Sequence, residues 1–285
     1  MKLIQNMDFE GERSLFFAED LDIRGSVFHD GESPLKESKR IRLDNCRFEW
    51  KYPIWYSNGV TVRSTTFTES ARSGIWYTKN ITMSGCLIEA PKTFRRSEGI
   101  LLRSVKMPNA YETLWNCTDV TLFDVSVVGD YFGMGCQGVM AEGLDVVGNY
   151  IFDGGMNIVV KNSRLISKDA FWNCENVTVI DSYIEGEYLG WNSSYVKFVN
   201  CTIESNQGLC YMRNVILENC ILKNTDLAFE YSTVDADIRS SVISIKNPTA
   251  GRISVNSVGE IIIDDYAIAP EDVTIIERGE NDDRL

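Results

Sequence analysis

One short pattern of apolar and polar positions recurs along most of the chain. At Val196-Lys197-Phe198-Val199-Asn200-Cys201-Thr202-Ile203 it reads apolar, any, apolar, any, Asn/Asp/Gly/Ser, small, any, apolar. It returns at Val215-Ile216-Leu217-Glu218-Asn219-Cys220-Ile221-Leu222. Its first residue falls at Leu21, Ile41, Val60, Ile81, Ile100, Val120, Val139, Ile158, Val177, Val196, Val215 and Ala236, in steps of 19 to 21 residues. Period-2 alternation predicts a strand of three to four residues. The Asn/Asp/Gly/Ser position then turns the chain, because these residues tolerate left-handed backbone. A second apolar segment lies six residues before each start, for example Leu15, Leu35, Ile54, Ile75, Phe94 and Leu114.

About three short strands per repeat predict one coil of a parallel β-solenoid, with equivalent residues stacked at a strand spacing of ~4.8 Å. Twelve such coils predict a rod of roughly 55 Å with one continuous apolar core. A leucine-rich repeat is excluded because no helical segment fits between the strands. The expected fold class is therefore all-β, in one domain over residues 1–285. Residues 1–14 are expected to cap the first coil, residues 15–250 to form coils, and residues 251–285 to end in a cap and an acidic tail that frays beyond Ile276.

This coil pattern, over about residues 15 to 250, resembles the single-stranded right-handed parallel β-helix of the pectin-lyase-like superfamily. More narrowly, Gly11-Glu12-Arg13-Ser14-Leu15-Phe16-Phe17 with Asp30-Gly31-Glu32-Ser33-Pro34-Leu35-Lys36-Glu37 resembles an uncharacterised bacterial domain-of-unknown-function family of that fold. The resemblance implies a fold and no activity. The superfamily's catalytic patterns do not carry over. Asn224-Thr225-Asp226 matches the first polygalacturonase motif but falls outside the segment that should hold it, Asp264-Asp265 lies too far along, and no histidine follows. The pectate lyase Arg-x-Pro-x-x-Arg motif and its calcium-binding aspartates are absent.

A net charge of -13 argues against nucleic acid and anionic membranes as partners. No stretch approaches the ~20 apolar residues of a membrane span. The start, Met1-Lys2-Leu3-Ile4-Gln5-Asn6, lacks the apolar run of a signal peptide, so a cytoplasmic location is expected. Cys46, Cys86, Cys201 and Cys220 share one small inward position, and Cys117, Cys136 and Cys174 share another. They read as small core residues in a reduced compartment. With one histidine and no close Cys-x-x-Cys pair, neither a metal nor another cofactor is expected.

The position five residues before each start is where candidate chemistry concentrates. It holds Phe16, Lys36, Trp55, Trp76, Arg95, Trp115, Met134, Asp153, Trp172, Trp191, Cys210 and Tyr231, and so five of the six tryptophans. Alternation points this column outward, where a row of indoles would stack sugar rings. Packing over the turns is the alternative. A ligand is expected over Lys36, Trp55, Trp76, Arg95 and Trp115, with Tyr56, Tyr77 and Arg96 beside them. Lys36, Arg95 and Arg96 would favour an acidic oligosaccharide. The charged turn 29–40, with the only histidine, His29, offers Asp30, Glu32 and Glu37, and Asp153 lies in the column. These acids are the candidates for a lyase or hydrolase. A structural or interaction rod without a small ligand is the third reading. Oligomeric state is left open.

Overall fold

Each repeat folds as two short strands joined by a tight turn, each pairing in parallel with its counterpart in the neighbouring coil. In Lys39–Asp44 the side chains of Ile41 and Leu43 are buried while Arg42 points out, as the alternation requires. The turn residue that follows is left-handed, for example Gly25 (φ 57°), Asn45 (φ 51°), Asp124 (φ 51°) and Asn200 (φ 52°). Asn and Gly carry this conformation at least cost, which explains their place in the template. A second strand of two or three residues then buries one apolar side chain, such as Phe48 in Arg47–Phe48 or Ile184 in Tyr183–Glu185.

The computed structural model, which describes residues 1–279, is an all-β right-handed parallel β-helix of about fifteen coils. The sequence template finds twelve. Lys2–Gln5 adds a coil at the start by pairing in parallel with Glu19–Arg24, inside the stretch expected to be a cap. Ala250–Val255 and Val273–Glu277 add two more. The template is also two residues out at its last start. Val234, not Ala236, pairs with Val215. Each coil has two strands, not three. The third side holds only isolated bridges, such as Trp76 to Arg95 and Arg95 to Trp115. The expected fraying past Ile276 does not hold at Arg278, whose guanidinium pairs with Asp237 at 2.5 Å and donates to the Ile238 carbonyl. The tail from residue 280 lies outside the described residues.

The chain divides into two compact units, residues 1–147 and 148–285. The first holds eight coils and a core of stacked rings. Phe9, Phe28, Phe48 and Phe67 lie face to face with centroids 4.7, 4.4 and 4.9 Å apart. The second holds seven coils and the Phe152–Phe171 stack at 5.8 Å.

All eight cysteines are buried and free. Their columns explain the residue choice. Ser57 donates its hydroxyl to the Leu35 carbonyl one coil back (2.7 Å), Ser193 to Phe171 (2.6 Å), and Cys174 its thiol to Phe152 (3.0 Å). A small donor fits this site, and thiol or hydroxyl both serve. Burial pushes the Cys174 thiol up to about 12. No helix among the described residues is long and apolar enough to cross a membrane.

Candidate functional site

The outward column is neither an open row nor a buried one. Trp55, Trp76, Trp115, Trp172 and Trp191 are all half-buried. Parallel strands in register bring like residues over one another, so the rings stack. Trp55 lies 5.2 Å from Trp76 at 8°, and Trp172 lies 5.8 Å from Trp191 at 9°. Each of these indoles donates its N–H to a backbone carbonyl of the next coil: Trp55 to Ser73, Trp76 to Lys92, Trp172 to Tyr188 and Trp191 to Gln207. Arg95 occupies the missing rung, with its guanidinium 4.6 Å from the Trp76 ring and 4.3 Å from the Trp115 ring. The indole faces are thus largely spent on one another and on Arg95.

Trp115 departs from this pattern. Its Nε1 is buried without an acceptor, as is Nε of Arg95. Trp76→Phe is expected to cost about 1 kcal/mol by leaving the Lys92 carbonyl bare, whereas Trp115→Phe removes an unpaired donor and costs nothing or stabilises. Urea unfolding of the two variants side by side checks this.

The open surface lies one residue further on. There Phe17, Glu37, Tyr56, Tyr77 and Arg96 follow the column and all have left-handed backbone, with φ between 48° and 60°. Elsewhere the same position is filled by Asn116, Gly135, Gly154, Asn173 and Asn192, which tolerate that conformation, and by Tyr211 in the second unit (φ 58°). An aromatic residue there costs about 1 kcal/mol or more. Tyr56 and Tyr77 stack at 4.7 Å and 9°, and Tyr56 is 49% exposed. The Lys36 ammonium stands 5.7 Å from the Tyr56 ring centre. Phe17, Lys36, Glu37, Lys39 and Tyr56 line an open depression of about 550 Å³.

The charged candidates divide. Glu112 takes both Lys92 (3.2 Å) and Arg95 (3.3 Å), and Glu98 takes Lys79 (2.8 Å). Arg96 is exposed, and among the described residues it has no carboxylate within ion-pair distance. Of the four candidate acids, Glu37 lines the depression, 3.9 Å from Lys36. Glu32 lies 3.8 Å from Lys51, Asp30 is exposed outside the depression, and Asp153, in the other unit, accepts from Asn173 at 2.8 Å. Among the described residues no group of three or more His, Cys, Asp or Glu is placed to hold a metal ion.

His29 has a structural environment. Its Nε2 meets Asp8 at 2.9 Å and its Nδ1 meets Glu49 at 2.8 Å, and Glu49 also accepts from Arg47 at 2.7 Å. Asp8 and then Glu49 raise the imidazole pKa. Arg47 and then His29 lower that of Glu49. A raised histidine stabilises fully below its unfolded value and loses this as pH climbs through the folded one; a lowered carboxylate does the reverse. The staple therefore works best between about pH 4.3 and 6.5. The melting-temperature advantage of the native chain over His29→Gln should shrink as the pH is raised above about 6.5.

The sequence marks Lys36, Tyr56, Tyr77 and Arg96 but places the emphasis on the indoles. It misses Phe17 and Lys39. The left-handed column is the signal that finds Phe17, since it aligns with Tyr56 and Tyr77 one residue past the tryptophans.

A family model described as Protein of unknown function (DUF3737) matches residues 2–276. No curated protein matches the chain. Similar solved structures include PfbA, a surface adhesin of Streptococcus pneumoniae, at 8% identity and TM-score 0.39, covering 91% of this chain and 81% of that one. The A-module of the Azotobacter vinelandii mannuronan C-5 epimerase AlgE4 is similar at 10% identity and TM-score 0.32, covering 97% and 87%. The tailspike of E. coli bacteriophage HK620 is similar at 12% identity and TM-score 0.33, covering 92% and 60%.

Proposed function

The chain belongs to the DUF3737 family, whose description assigns no activity, and on that premise we propose that it binds an acidic oligosaccharide on the tyrosine platform of its first unit. The observation that carries this reading is the pair Tyr56 and Tyr77, stacked and held in a backbone conformation that costs an aromatic residue energy. Five other coils hold at this position the Asn or Gly that the conformation favours, while Tyr211 in the second unit packs against Trp191 and Tyr231. A sugar ring stacks on the outer face of Tyr56 inside the depression, beside Phe17. Lys36 and Lys39 on one side and Arg96 beyond Tyr77 meet its carboxylates. Trp55 and Trp76 serve as the rigid backing, with Trp55 edge-on to Tyr56 at 6.3 Å and to Tyr77 at 6.5 Å. In this reading Lys36, Tyr56, Tyr77 and Arg96 meet the ligand, and Trp55, Trp76, Arg95 and Trp115 lie behind the contact surface.

Binding is favoured over hydrolysis or elimination because one acid, Glu37, lines the depression and its neighbour is Lys36. Paired carboxylates are the usual requirement for glycoside hydrolysis. The test is calorimetry with uronic-acid oligosaccharides on the native chain and on Tyr56→Asn. Asn suits the left-handed position, so this change should leave or raise the melting temperature while weakening binding about tenfold (about 1.4 kcal/mol). If no uronic oligosaccharide binds and Tyr56→Asn lowers the melting temperature, the platform is structural and an interaction scaffold is the better reading.

A further inference from the structure

Charge is unevenly placed along this acidic chain. The whole sequence has 28 Lys and Arg against 41 Asp and Glu, yet residues 40–106 hold twelve Lys and Arg against five Asp and Glu. Part of this excess falls on the outward face of the first sheet, away from the tyrosine platform. Parallel register aligns Arg24, Asp44, Arg63, Ser84 and Arg103 in one column. Asp22, Arg42 and Thr61 align in the next. Arg24 is taken by Asp22 at 2.7 Å. Arg42, Arg63 and Arg103 are exposed, and among the described residues none has a carboxylate within ion-pair distance; Arg103 lies over the Phe123 ring at 4.2 Å. Arg24, Arg42 and Arg63 border an open depression of about 280 Å³ with Asp22, Asp44 and Thr61.

The geometry points to a second binding face here, for a linear acidic polysaccharide with one anionic group per two sugar units, lying across the strands over Arg63 and Arg103. The interval selects the partner. Arg63 and Arg103 stand two strand spacings apart, roughly 9.6 Å. Asp44 and Ser84 occupy the alternate rungs, so a polymer charged at every unit would set an anion against Asp44. A nucleic-acid strand, with a phosphate every ~3.4 Å, fits this alternation worse and meets the repulsion of the chain's net negative charge. Arginine suits the task because its planar fork pairs two donors with a carboxylate or sulfate.

The probe is hyaluronan oligosaccharide, which bears one carboxylate per disaccharide, titrated by calorimetry at low and at physiological salt. The native chain should bind, and more weakly as salt is raised. The double variant Arg63→Glu and Arg103→Glu should weaken binding on the order of tenfold or more (about 1.4 kcal/mol). Lys168→Glu, on the other unit, should leave it unchanged. Far-UV circular dichroism of the double variant checks that it folds, and Arg63→Lys with Arg103→Lys should retain part of the affinity. The inference is overturned if the double reversal binds hyaluronan as well as the native chain. It is overturned equally if single-stranded DNA or neutral dextran binds as tightly.

Discussion

Cys201→Lys should unfold the coils around it. Cys201 is 1% exposed, and its thiol donates to the carbonyls of Val179 (3.4 Å) and Val199 (3.3 Å). An ammonium placed there meets carbonyls and apolar side chains but no carboxylate, so the cost is at least about 4 kcal/mol. Cys201→Ser is the control. Ser182 fills the same position one coil earlier and donates to the Ile180 carbonyl at 2.7 Å, so serine should cost about 1 kcal/mol or less. Urea unfolding monitored by far-UV circular dichroism separates the two. A lysine tolerated at this site would mean the small column does not face inward.

Phe48→Ala carries the second large effect. The ring is fully buried and is sandwiched between Phe28 and Phe67 in the face-to-face stack. Its loss opens a cavity between two rings that in-register strands hold a fixed distance apart, so the site cannot close up. The expected cost is about 3–5 kcal/mol. Because coils contact mainly their neighbours, the damage should be local. Amide exchange should quicken in Glu19–Arg24, Lys39–Asp44 and Asn58–Arg63 and stay slow in Glu175–Ile180. Uniform loss of protection would show that the coils unfold as one block.

These two sites show what the sequence makes legible. Period-2 alternation, a left-handed turn residue and a small inward residue are local requirements of each coil, so Cys201 and Phe48 are placed correctly from the pattern alone. The coils at Lys2–Gln5 and Val273–Glu277 escape it because terminal strands are packed on one side only and need fewer apolar residues. The candidate site was legible only in part. Whether an aromatic column is open depends on what stacks on each ring, and that follows from register between coils, not from parity within one strand. Arg95 illustrates this. Sequence places it as a contact for an anion, and the structure sets it between two indoles as a rung of the stack. Arg96, beside it, looks equally charged in sequence but has no ion-pair partner among the described residues, Glu98 and Glu112 being engaged by Lys79 and Arg95.

The most direct measurement of carbohydrate binding at the platform is a crystal structure of the chain with a galacturonate trisaccharide. The expected density has a sugar ring on the outer face of Tyr56, between Phe17 and Lys36, with a carboxylate at Lys36 or Lys39 and the chain running toward Arg96. A trisaccharide bound on another face, or a depression left empty at saturating ligand, would contradict it.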